Sequence, residues 1–246
     1  MDDPITLAYH GPDTIYPNFL KTRPHRRLYG NVTRSMYVAA FGAPEELVQC
    51  ADINNESRSG WTALKIAVAN DNLQMCERLI KCGARADIQN TNLQTVLFTA
   101  VQYFASIPII RLLLNNGCGI NDSDSNGWAV LMWACIQSNN PNTLEIVKTL
   151  VDAGADINKH CPQTVNGVRT VYYSPLIVAS KYDKIGLCSF LIKRGAKLDF
   201  ILYRHFVNAH LYCNVFTLFL NDITPSRRCR PPMKILPLIA RVVKLL

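Results

Sequence analysis

The sequence predicts an all-α protein: a solenoid of stacked helix-turn-helix pairs with projecting finger loops and a helical C-terminal cap. Three observations carry this. Short segments of the form x-x-Leu-x-x-Ala recur as Thr62 to Ala67, Thr95 to Ala100, Ala129 to Ala134 and Ser174 to Ala179. Each is followed by a second apolar run that stops at a glycine, at position 83, 117, 154 or 195. Of the 246 residues, 49% are apolar, enough to build a sizeable core and too many for a mainly disordered chain.

The leucines of the recurring segment, 64, 97, 131 and 176, are 33, 34 and 45 residues apart. Self-similarity at that period is the signature of a repeat array. Within each unit, Thr62 and Ser174 suit the N-cap of the first helix, and Pro175 suits a first helical position. The second helix carries apolar residues at helical spacing, as in Met75, Leu79 and Ile80, or Ile146, Val147, Leu150 and Val151. The closing glycine is predicted to end that helix in the left-handed conformation, after which an Asp-Ile-Asn type of segment turns the chain outward. Alanine at 67, 100, 134 and 179 fits a close approach of helices. One such pair cannot bury its own apolar faces, so the units must stack.

These residues resemble the ankyrin repeat, whose pattern runs Gly-x-Thr-Pro-Leu-His-x-Ala-Ala, a second helix, then Gly-Ala-Asp-x-Asn. Gly60-Trp61-Thr62-Ala63-Leu64, Gly127-Trp128 with Leu131 and Ala134, Ser174-Pro175-Leu176 with Ala179, and Gly154 to Asn158 carry the match. A degenerate first unit, with Val38-Ala39-Ala40 and Ala51 to Asn54, has a shortened second helix. The histidine of the pattern is replaced by Lys65, Phe98, Met132 and Ile177, so its hydrogen bonding to neighbouring turns is expected to be absent. The third and fourth units are lengthened between their helices, the fourth by Ser138 to Thr143, and an insertion from Lys159 to Tyr173 enlarges a finger. The expected organisation is a partly disordered extension over 1–33, repeats over 34–200, a capping helix pair over 201–223, and a basic linker with an amphipathic helix over 224–246.

The resemblance implies a non-catalytic scaffold or adaptor that holds a protein partner in a groove of first helices bordered by the fingers. In this register the groove positions are Ile66, Ala69 and Asn70; Thr99, Gln102 and Tyr103; Trp133, Ile136 and Gln137; Val178, Lys181 and Tyr182. Tyr103, Trp133 and Tyr182 are the natural anchors, since accessible aromatics dominate protein interfaces. Trp133 fits equally a place between neighbouring units, and Trp61 and Trp128 fit a cover over the adjacent finger.

No catalytic pattern competes with this reading. The five histidines form no metal-binding pair at helical spacing, and no phosphate loop, nucleophile elbow or dinucleotide fingerprint occurs, so no cofactor, metal or enzymatic activity is expected. His160-Cys161 would need distant partners to act as ligand or nucleophile. Nine cysteines, an odd number and never Cys-x-x-Cys, lie mostly in apolar runs and read as thiols of a reducing compartment, the cytoplasm or nucleus. No apolar run approaches the roughly 20 residues that span a bilayer.

The +8 net charge belongs to the ends: residues 35–223 hold 15 basic and 15 acidic side chains, and residues 224–246 hold six basic and none acidic. That tail reads as solvated, or as a contact for anionic lipid; a nucleic-acid partner is not expected without aromatic interleaving. Pro232-Met233-Lys234-Ile235-Leu236 resembles the start of a suppressor-of-cytokine-signalling box, the module through which some ankyrin proteins dock elongin B/C and cullin. That resemblance implies a ubiquitin-ligase substrate receptor docking through Met233, Leu236 and Ile239. Pro237 and Leu238 replace the cysteine and arginine of that module, and its second half has no counterpart.

Overall fold

The computed structural model describes residues 33–47, 52–58, 60–137, 142–165, 168–182 and 184–197. The predicted capping pair at 201–223 and the basic segment at 224–246 lie outside the described residues. Nine helices alternate along the described chain: α1 (Arg34–Phe41), α2 (Ala63–Ala69), α3 (Leu73–Lys81), α4 (Val96–Gln102), α5 (Ile107–Asn115), α6 (Val130–Ile136), α7 (Thr143–Asp152), α8 (Pro175–Lys181) and α9 (Ile185–Lys193). In the degenerate first unit, α1 is followed by a single 3-10 turn, Pro44–Glu46.

The helices form two rows. The first helices pack in series, α1 on α2, α2 on α4, α4 on α6 and α6 on α8. The second helices follow, α3 on α5 and α5 on α7, and each pair closes on itself. One contiguous apolar core runs from Met36 in α1 to Ala196 beyond α9. This is the packing that the 33- and 34-residue periods demand, because a seven-residue helix such as α2 has too little surface to exclude water alone.

Local chemistry sets each boundary. Thr33, Thr62 and Ser174 accept hydrogen bonds from the amides of Met36, Lys65 and Ile177, capping α1, α2 and α8. The second helices end as the sequence predicts. Gly83, Gly117, Gly154 and Gly195 have φ between +84° and +95°. In each case the next amide reaches back five residues, as Ala84 N–H does to Leu79 O at 2.9 Å and Ala155 N–H to Leu150 O at 3.0 Å.

Two features depart from expectation. Lys65 keeps the hydrogen bonding that loss of histidine was expected to remove: its buried ammonium donates to Gly60 O at 2.9 Å, inside the turn that precedes its own helix. A long flexible side chain thus does locally what a ring does in the pattern, while Phe98, Met132 and Ile177 are simply buried. The enlarged finger is an antiparallel hairpin, β1 (Cys161–Val165) with β2 (Val168–Tyr173), pairing Cys161 with Tyr173 and Val165 with Val168. It projects from a helical array and leaves the stack intact.

Candidate functional site

Accessible surface on the first-helix row collects where those helices end. Gln102 and Lys181 are the last residues of α4 and α8, and Asn70, Tyr103 and Tyr182 are the C-caps of α2, α4 and α8. All five are partly exposed, as is Ala69. The row mixes amide, phenol and ammonium groups, with Lys181 in the last turn of a helix, where its charge complements the exposed carbonyl ends.

The remaining predicted positions are corrected by their burial. Ile66, Thr99, Trp133 and Val178 occupy one register position and are all buried, with Val178 at 0% exposure. These helices are under two turns long and pack against neighbouring first helices and their own partner helix, so this position faces the stack. Ile136 and Gln137 are buried as well, which interrupts the accessible row at the fourth unit. Lys184, the N-cap of α9, reaches this helix end. Its ammonium donates to Cys135 O at 3.0 Å and also to Gln137 O, which takes a further bond from Thr143 Oγ1 at 2.9 Å. Burial pushes the Lys184 pKa down, as expected for a cation drawn out of water to hold the end of a neighbouring helix.

Trp133 has a specific task inside the stack. Its indole Nε1–H donates to Asp124 Oδ2 at 3.0 Å, and both residues are buried. Asp124 is the hub of its finger turn: Oδ1 accepts from the amides of Asn126 and Trp128, both at 2.9 Å. Desolvation raises the Asp124 pKa from its ordinary 3.8, and these bonds with one from Gln94 partly offset it. Trp128 is buried against Tyr173, ring centroids 5.4 Å apart, so the base of the hairpin sits on the preceding finger.

Trp61 belongs with the accessible row. Its partly exposed ring stands edge-on to Tyr103, centroids 5.8 Å apart at 63°, joining the second unit to the third. The signal for it was a Trp directly after Gly60 in the finger turn, which sequence spacing assigned to packing alone.

A second set of residues, unrecognised from sequence, ties the finger bases together. Asn54 Nδ2 donates to Gly83 O and its Oδ1 accepts from Arg85 N–H, at 2.9 and 2.8 Å. Asn121 does the same with Gly154 O and the Asp156 amide, at 3.3 and 2.8 Å. Asn158 repeats it with Gly195 O and the Lys197 amide, at 3.2 and 2.8 Å. The asparagine in Asp-Ile-Asn, or in Gly119-Ile120-Asn121, therefore clamps the left-handed glycine one unit further on.

The His160–Cys161 pair does not assemble. His160 is exposed, whereas the Cys161 thiol is fully buried and donates to Asn126 O at 3.0 Å. Burial also pushes Cys76 up to about 12 and raises Cys118 and Cys135. Among the described residues no group of three or more His, Cys, Asp or Glu is placed to hold a metal ion. Met233, Leu236 and Ile239, the alternative docking residues, lie outside the described residues.

A family model described as ankyrin repeats matches the chain at residues 35–124, 70–161 and 109–201, together well over half its length. The chain belongs to the ankyrin-repeat family. Within it, the chain is 38% identical over 101 residues to ankyrin repeat protein FPV031 of Fowlpox virus (strain NVSL). That match covers 39% of this chain and 29% of the viral protein, so the chain spans less than a third of its relative's length. Ankyrin repeats are a protein-protein interaction module. No helix among the described residues is long and apolar enough to cross a membrane.

Proposed function

We propose that this chain is a non-catalytic adaptor that seats a protein partner along Trp61, Asn70, Gln102, Tyr103, Lys181 and Tyr182. The observation that carries the reading is the Trp61–Tyr103 pair, two large rings in edge-on contact across a unit boundary while remaining partly accessible. Amphipathic aromatics with flanking amides provide contact area at low entropic cost. The test is capture of partners from lysate by the full chain and by Tyr103→Ala/Tyr182→Ala, with circular dichroism as the folding control. Loss of specific capture with an unchanged helical signal supports the row; undiminished capture refutes it.

The same adaptor could serve as the substrate receptor of a cullin ubiquitin ligase, a reading supported by Pro232 to Leu236 alone. Stoichiometric co-purification with elongin B and C, lost on deleting residues 224–246, supports it, and no recovery removes it. The six described cysteines, none in a disulfide, accord with the cytoplasm or nucleus as the site of action.

A further inference from the structure

The clamp series has one gap. By register Asp87, four residues after Gly83 and three before the turn at Asn90, occupies the place of Asn54, Asn121 and Asn158, and its partners would be Gly117 O and the Gly119 amide. Among the described residues Asp87 makes neither bond: its exposed carboxylate accepts instead from Arg85 Nε and Nη2, at 3.0 and 2.8 Å. A carboxylate also has no N–H to give Gly117 O, so the donor half of the clamp is lost whatever its rotamer.

The neighbouring finger is weakened in two further ways. Its turn begins at Asn90, as the others begin at Ser57 and Asp124, with Leu93 N–H bonded to Asn90 O as Gly60 and Gly127 bond to theirs. The residue at that third step needs a left-handed backbone. It is Gly60 at φ +72° and Gly127 at +80°, but Leu93 at +59°, a strained choice for a side chain that is 47% exposed. Thr95 also leaves α4 without a side-chain cap bond; its hydroxyl instead meets Cys118 Sγ at 3.6 Å. At the opposite edge the same junction is pinned, with Asp71 Oδ1 accepting from the Ser106 amide at 2.7 Å.

We propose that the junction between the second and third units is the flexing point of the array. The finger base parts at Asp87 and Gly117, and the Asp71–Ser106 bond acts as the pivot. The Trp61–Tyr103 pair crosses this same junction, so flexing alters the spacing of two rings in the proposed partner row. That last consequence rests on the adaptor reading, whereas the flexing itself is tested on the unliganded chain.

The experiment is residue-resolved amide hydrogen exchange on the full chain, comparing hydrogen-bonded amides that are equivalent in every unit. The pairs are Gly83 and Ala84, Gly117 and Cys118, Gly154 and Ala155, and Gly195 and Ala196. Gly117 and Cys118 should exchange roughly five- to tenfold faster than the first and third pairs, as the absence of two hydrogen bonds implies. Asp87→Asn should slow them by a similar factor. If that variant folds poorly, Asn121→Asp should accelerate Gly154 and Ala155 by removing the donor half of an existing clamp. Equal protection at all junctions, or variants that leave their own pair unmoved, overturns the proposal.

Discussion

Asp124 is held between burial, which favours its neutral form, and donors from Trp128, Trp133, Asn126 and Gln94, which favour its charge. Replacing it with asparagine keeps one acceptor oxygen for the turn amides but turns an NH2 group toward Trp133 Nε1–H. Asp124→Asn should therefore lose about 1–3 kcal/mol at neutral pH, the penalty of a buried donor without an acceptor, measurable by urea denaturation. The pH dependence has an unusual sign. The folded pKa lies above the ordinary 3.8, so the folded chain binds this proton more tightly than the unfolded one. The resulting stability is fully present below 3.8 and is lost as pH rises through the folded value. The gap between wild type and Asp124→Asn should thus widen in favour of wild type as pH falls through that window. A gap that narrows on acidification would contradict the assignment. Leu93 gives the opposite kind of prediction: Leu93→Gly should raise stability by about 0.5–1 kcal/mol, because relief of the left-handed backbone outweighs the added freedom of the unfolded chain.

At the scale of elements, the fingers are set by backbone approach more than by side-chain choice. A Cβ on Gly60 would lie 2.5 Å from Asn90 Cβ and 3.1 Å from its Cα, in a residue already at φ +72°. Gly60→Ala should lower stability by about 2 kcal/mol or more, read as a fall in denaturation midpoint with an unchanged slope. Helix identity, helix ends and the repeat period were legible in the sequence because they depend on local spacing, capping residues and glycine. Site residues were harder to read. Register alone placed Trp133 and Val178 on the groove, since spacing tells which residues share a helix face but not which neighbour covers it. The Asn clamps and the reach of Lys184 to Gln137 O join residues 29 to 47 positions apart, and nothing local announces them. Lys65 shows the same limit, because a lost histidine predicted a lost bond and the bond was supplied by different chemistry.

Across the whole molecule, the contiguous core ties thiol chemistry to unfolding. Of the six described cysteines only Cys82 is partly exposed, and Cys76, with its pKa near 12, holds almost no thiolate near neutrality. Among these six, alkylation of the native protein at pH 8 followed by peptide mass mapping should modify Cys82 first. The other five should react only at the rate of global or subglobal opening, and prompt labelling of Cys76 or Cys135 would show that the stack is looser than its burial indicates. The hairpin stands apart from this logic. Among the residues with described side chains, its anchorage is through Cys161 and Tyr173, at the end of the ladder remote from the Val165–Val168 pair. A foreign epitope or reporter grafted after Val165 would therefore be added at the end away from that anchorage.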